Sequence, residues 1–185
     1  WQISGLVLVI VLAPLCSFPS IFVTAGVITG LLADALVKRE RHRLYLTLGI
    51  AVLAIIMAIT QYTVIIAPQA QANELLKTLW QEGFPPGEVF SFLGWFVAQS
   101  AGRLMAYPLG GRNFGSVLTL FLVCIGVFSL YRTRQWFLLW ILLMPFAGNV
   151  VAAALHWYPY GQSARIAQHL APSICLLAGL GIVTV

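Results

Sequence analysis

Six long apolar runs, separated by short polar breaks, dominate this chain: Trp1–Cys16, Ile21–Val37, Leu44–Ile66, Phe114–Leu130, Trp136–Leu155 and Leu170–Val185. A helix needs roughly 20 mostly apolar residues to cross a bilayer. In hydrocarbon the backbone must also satisfy its own hydrogen bonds. The pattern predicts an all-α, polytopic membrane bundle of about six spans. Composition points the same way, with 61% hydrophobic and only 8% charged residues, against about 25% charged in a soluble domain. That is too little polar surface for an ordinary cytosolic enzyme, a disordered chain, a disulfide mini-protein or a nucleic-acid domain. The net charge of +5 does not imply nucleic acid, because scattered cations make no phosphate-tracking groove. The chain starts at Trp1 and stops at Val185 within an apolar run, and it reads as an internal piece of a larger protein.

The cations are topology signals. Lys38, Arg39, Arg41 and Arg43 crowd the break between the second and third runs, and Arg132 and Arg134 sit between the fourth and fifth. Placing both breaks in the cytoplasm makes the sides alternate. Ser17–Ser20, Ala67–Asn113 and His156–His169 then face outward, and the start of the segment is cytoplasmic. Three regions follow: 1–66 with three spans, 67–113 as an extracytoplasmic loop, and 114–185 with three more spans. Val89–Tyr107 is not a seventh span. Its apolar core between Glu88 and Gln99 is too short to cross about 30 Å of hydrocarbon. The loop is expected to carry two interfacial amphipathic helices. The first places Ala72, Leu75, Leu76, Leu79 and Trp80 on one stripe, and Gly83-Phe84-Pro85-Pro86-Gly87 ends it. The second turns Phe90, Leu93, Trp95, Phe96 and Val97 toward lipid or protein.

Few residues offer chemistry. Cys16, Cys124 and Cys175 are far apart, lack a CxxC pattern and read as small buried hydrophobes. Asp34 lies four residues before Lys38, the spacing of a helical ion pair. Asn149, near Pro145 and Gly148 in the fifth run, is expected to bond to freed backbone or to a neighbouring helix. His156 and His169 match no zinc spacing, and neither a metal nor a cofactor is expected. The outward carboxylates Glu74, Glu82 and Glu88 lack a paired nucleophile, and no GxSxG, P-loop, HExxH or GxGxxG is present. Arg165, Gln168 and His169 stand at i, i+3 and i+4. On a helix they share a face at the membrane entrance, where a guanidinium suits a phosphate. The alternative is an interfacial anchor, with Trp157, Tyr158 and Tyr160 as an aromatic belt and Arg165 snorkelling to headgroups.

Three stretches resemble the polytopic GT-C glycosyltransferases that use lipid-linked sugars, in particular the bacterial protein O-mannosyltransferase-like and aminoarabinose-transferase-like members. Ala13-Pro14-Leu15-Cys16-Ser17-Phe18-Pro19-Ser20-Ile21-Phe22-Val23 is similar to that family's "LxSxPxxFV" helical hairpin. Leu79-Trp80-Gln81-Glu82-Gly83-Phe84-Pro85-Pro86 is similar to its juxtamembrane turn. Tyr158-Pro159-Tyr160-Gly161, Arg165, Leu170-Ala171-Pro172 and Leu176-Leu177-Ala178-Gly179-Leu180 resemble its "yPfg…R…yLaP…LLaGlg" segment. The resemblance implies transfer of a sugar from a polyprenyl-phosphate donor to a glycan, lipid or protein acceptor on the outer face of a bacterial plasma membrane. It places the key acid in a first outer loop upstream of Trp1, so no catalytic residue is carried onto this chain. It also implies that the Arg165 loop faces the donor cavity. Arg165 is then the expected phosphate contact, with His169 and Tyr160 beside it and Arg112 as a second candidate. Two rival classes remain, a transporter or flippase segment and a non-catalytic membrane scaffold.

Overall fold

The computed structural model describes residues 2–68, 80–108, 115–163 and 165–185. Among these the chain is helical and contains no strand. It divides into two compact units, Trp1–Leu76 and Lys77–Val185. The described stretch 80–108 of the middle loop therefore folds with the last three helices as one body.

The first unit holds α1 (Gln2–Cys16), α2 (Ser20–Val37) and α3 (Arg41–Gln61), which continues as a π-helical turn over Tyr62–Ile66. The hairpin between α1 and α2 forms where Pro19 interrupts the apolar pattern. Ser20 N donates to Ser17 O at 3.0 Å and starts the next helix. Proline cannot donate to the turn before it, so Pro14 inside α1 leaves one upstream carbonyl unused. Pro14's own carbonyl accepts a bond from the buried Gln61 side chain of α3. A polar side chain thus pins two apolar helices together, and the π-turn follows directly. Ile10, Ile28 and Ile50, one from each helix, form the core of this unit. Asp34 and Lys38 pair at 2.8 Å as their spacing predicts, and Glu40 and Arg43 pair at 2.6 Å across the same basic break.

The second unit holds α4 (Val89–Gly102), α5 (Gly115–Arg132), α6 (Trp136–Ala154) and α7 (Ala171–Thr184). α5 and α7 run side by side in the same direction, so that Ser129 and Thr184 near their ends meet at 3.2 Å. Two glycines make this approach possible. A Cβ on Gly126 would collide with the Leu177 carbonyl, and one on Gly181 with the Leu122 carbonyl. The core lies between these helices and the cap above them, with Val123, Leu142, Ala153, Leu170, Ile174 and Leu177 buried.

Among the described residues four helices are long and apolar enough to cross a membrane: Ser20–Val37, Arg41–Ile65, Gly115–Arg132 and Trp136–Ala154. Their apolar side chains face outward in number, as with Ile55, Ile59, Phe121 and Phe128, all more than half exposed. Such surface is stable only against lipid or protein. The described residues of the six apolar runs are helical over most of each run, but α1 and α7 have 15 and 14 residues, or about 21–23 Å at 1.5 Å per residue. α4 is equally short, with 14 residues. The first expected amphipathic helix falls mostly on residues 69–79, outside the described residues. The cysteines correct an expectation. Cys16, Cys124 and Cys175 are exposed and unpaired, because each falls on the outward face of its helix.

Candidate functional site

The most densely bonded part of the second unit lies at the α5 and α7 N-termini, at the end away from the Thr133–Gln135 turn. Here the chain over 80–108 meets the loop 155–170. Their junction is glycine on proline. Gly83 is buried, and a Cβ there would stand 2.6 Å from Pro159 Cβ. Tyr160 N donates to Gly83 O at 2.8 Å. Two stretches remote in sequence are therefore locked together by backbone, and any side chain at residue 83 would part them.

α4 lies over this junction. Its Trp95 and Phe96 rings pack on Tyr160, with centroids 5.6 and 5.5 Å away. Tyr160 is 1% exposed, and its hydroxyl pairs with Ser100 at 3.1 Å. Burial pushes its phenol up to about 12, against a smaller opposing effect of the Ser100 bond. Tyr160 is thus a core pillar of the cap, with no surface left for an aromatic belt or a ligand. The opposite side of α4 is bare: Val89, Phe90, Leu93 and Val97 are 55–89% exposed.

Glu82 gathers the polar partners. Its backbone carbonyl accepts from Trp95 Nε1 at 2.9 Å and from Gln99 Nε2 at 3.0 Å. Its carboxylate stands 3.4 Å from the Arg103 guanidinium, which also donates to Gln162 O at 3.1 Å. Phe84 stacks on His156 at 5.0 Å. Together Gln81, Glu82, Phe84, Pro85, Pro86, Trp95, Gln99 and His156 line an open pocket of about 1080 Å³. The sequence offers Glu82 as an outward carboxylate and nothing that joins it to Arg103. Their partnership spans 21 residues and no local pattern announces it.

The expected phosphate-binding group is dispersed by the fold. Residues 165–170 form a turn and a single 3-10 turn, with Gln168 N donating to Arg165 O at 3.3 Å, so the α-helical i, i+3, i+4 face is absent. Arg165 is exposed and has no side-chain partner among the described residues. It does not line the pocket. His169 is half-buried against Tyr158, at 5.9 Å between ring centroids. Burial pulls its imidazole down to about 4, with a weaker opposing effect of the Ile166 backbone. It is neutral near pH 7 and carries no charge toward a phosphate. Tyr158 donates its hydroxyl to Ile166 O at 2.9 Å and holds the turn closed. Arg112 lies outside the described residues.

The chain matches no known family model, no curated protein and no solved structure. Its site is therefore read from its own geometry. Among the described residues no three His, Cys, Asp or Glu side chains are grouped as metal ligands. Asn149 departs from expectation. It is fully buried on α6, and neither amide atom has a hydrogen-bond partner among the described residues. Pro145 and Asn149 both lie on the inward face of α6, yet the carbonyl freed by the proline does not engage the amide.

Proposed function

We propose that this chain is part of an integral-membrane glycosyltransferase that moves a sugar from a polyprenyl-phosphate donor to an acceptor on the outer side of a bacterial plasma membrane. In this reading the basic breaks at 38–43 and 131–135 are cytoplasmic, α1 and α7 complete a six-span bundle, and α4 lies in the outer interface. One observation carries the reading most strongly. The two motif-bearing segments of the second unit, Trp80–Pro86 and Tyr158–Gly161, converge at the Gly83–Pro159 junction, and the first of them lines an open pocket. They do so at the end of the bundle away from Arg132 and Arg134, the side that the positive-inside rule makes extracytoplasmic. Arg165 belongs to the same loop. Its guanidinium is uncompensated among the described residues, whereas Arg103 is held by Glu82 and Gln162. A fixed cation at the membrane surface stabilises a phosphate leaving group.

The test is Arg165→Ala in the full-length protein, reconstituted in proteoliposomes with a polyprenyl-phosphate sugar. Loss of one charge-assisted contact should weaken donor binding about tenfold or more. Binding of polyprenol, which lacks the phosphate, should not change. Unchanged donor affinity and turnover would remove Arg165 from the site.

A further inference from the structure

We infer that the pocket bounded by Glu82, Trp95 and Gln99 is a carbohydrate subsite that takes an uncharged pyranose ring. The inference rests on the glycosyltransferase reading for its place in a reaction, but the lining argues for the ligand by itself. Phe84, Pro85, Pro86 and Trp95 offer flat apolar faces of the kind that cover the C–H face of a sugar. The polar side chains of the lining are Gln81, Glu82, Gln99 and His156, a mixture of acceptors and donors. The Trp95 indole N–H and one Gln99 amide N–H are already spent on the Glu82 carbonyl, at 2.9 and 3.0 Å. The Glu82 carboxylate, 72% exposed, is the charged acceptor of the lining. Acceptors and donors set beside aromatic and proline faces fit a ligand with many hydroxyls and one apolar face.

Charge narrows the class further. The carboxylate in the lining is matched by the Arg103 guanidinium at 3.4 Å, so the pocket has little net field. A phosphate or carboxylate ligand would meet the Glu82 carboxylate and would find no Lys or Arg in the lining. A cationic ligand would compete with Arg103. A neutral polyhydroxylated ring suffers neither penalty. The volume of about 1080 Å³ exceeds the size of one such ring, and pockets for small ligands run from about 300 to 1,000 Å³. There is room for the sugar together with the group it is attached to. The ring of His156 stacked on Phe84 closes one side, and Arg103, bridging Glu82 to the Gln162 carbonyl, ties the other wall to the 155–170 loop.

The experiment titrates the full-length protein in nanodiscs with methyl hexopyranosides, with methyl glucosaminide and with a hexose phosphate, reading tryptophan fluorescence. The neutral glycosides should shift the emission, and Trp95→Phe should abolish the shift. Glu82→Gln removes a charged acceptor without changing size and should weaken neutral-glycoside binding about tenfold. Glu82→Asp should restore part of it. Melting temperature, followed in parallel, separates lost binding from lost folding. Two results would overturn the inference: no shift with any neutral glycoside up to about 10 mM, ten times a millimolar dissociation constant, or tighter binding of the phosphate or the amino sugar. Sugar transfer from a polyprenyl-phosphate donor is measured on the same samples. Transfer that survives Glu82→Gln unchanged defeats the subsite and leaves the enzyme. Glycoside binding without transfer from any such donor defeats the enzyme and leaves the subsite.

Discussion

His169 shows what a single burial does. Its imidazole is held near 4 in the folded chain, against about 6.5 when unfolded. Between those values the unfolded chain binds a proton that the folded one refuses. Stability is therefore full above about pH 6.5 and falls as the pH drops toward 4. Thermal melts of the detergent-solubilised protein across that window should show the decline, and His169→Phe should flatten it. A melt that is equally pH-dependent in the variant would place the sensitivity elsewhere. Asn149 makes a second point at this scale. A buried amide with neither atom paired destabilises by about 1–3 kcal/mol. Asn149→Leu, similar in size and apolar, should raise stability by that order in denaturant unfolding. A loss of stability would mean that the amide has a partner in the membrane. The sequence marked both residues as exceptional. It could not show that one would be neutralised by packing and the other left unpaired, because both outcomes depend on neighbours remote along the chain.

The helices themselves were legible. Apolar run length, Pro19 and the charged breaks mark their boundaries through hydrophobicity and the missing proline N–H, both local properties. How they end was less so. α2, α5 and α6 each stop on a left-handed residue that is not glycine: Arg39, Arg134 and His156, with φ near 55–57°. Each is followed by an amide reaching back to close the last turn, as Glu40 N does to Ala35 O and Gln135 N to Leu130 O, both at 3.0 Å. A side chain in this conformation costs about 1–2 kcal/mol relative to the right-handed one, and glycine escapes it. Arg134→Gly should therefore stabilise the α5–α6 turn by about 1 kcal/mol, read as a raised melting temperature. The α5–α7 contact behaves in the opposite sense. Gly126→Ala or Gly181→Ala drives a methyl into a neighbouring carbonyl and should destabilise by about 1–3 kcal/mol or more. Gly94, with open space around its Cβ position, is the control, and Gly94→Ala on α4 should be neutral or mildly stabilising. Equal effects at Gly94 and Gly126 would contradict the packing.

At the scale of the molecule, the four membrane-length helices among the described residues, with their outward apolar faces, make the chain a membrane protein. The helical class and the membrane-length segments were readable from hydrophobicity alone. The cap was not, because it depends on one glycine meeting one proline and one arginine bridging two segments. Motif spacing drew attention to Arg165, and the fold shifted part of that weight to Glu82 and Arg103. The division of labour we propose is specific: the exposed Arg165, outside the pocket lining, for a phosphate, and a charge-neutral aromatic pocket for a ring. It bears most directly on whether the protein transfers sugar at all. The decisive measurement is release of polyprenyl phosphate from a polyprenyl-phosphate sugar by the full-length protein in sealed proteoliposomes, with donor supplied on either side. The account predicts turnover only when donor and acceptor reach the face bearing the 80–108 and 155–170 segments, and a sharp drop with Arg165→Ala. Absence of transfer from every polyprenyl-phosphate sugar, or turnover on the face bearing Arg132 and Arg134, would contradict it.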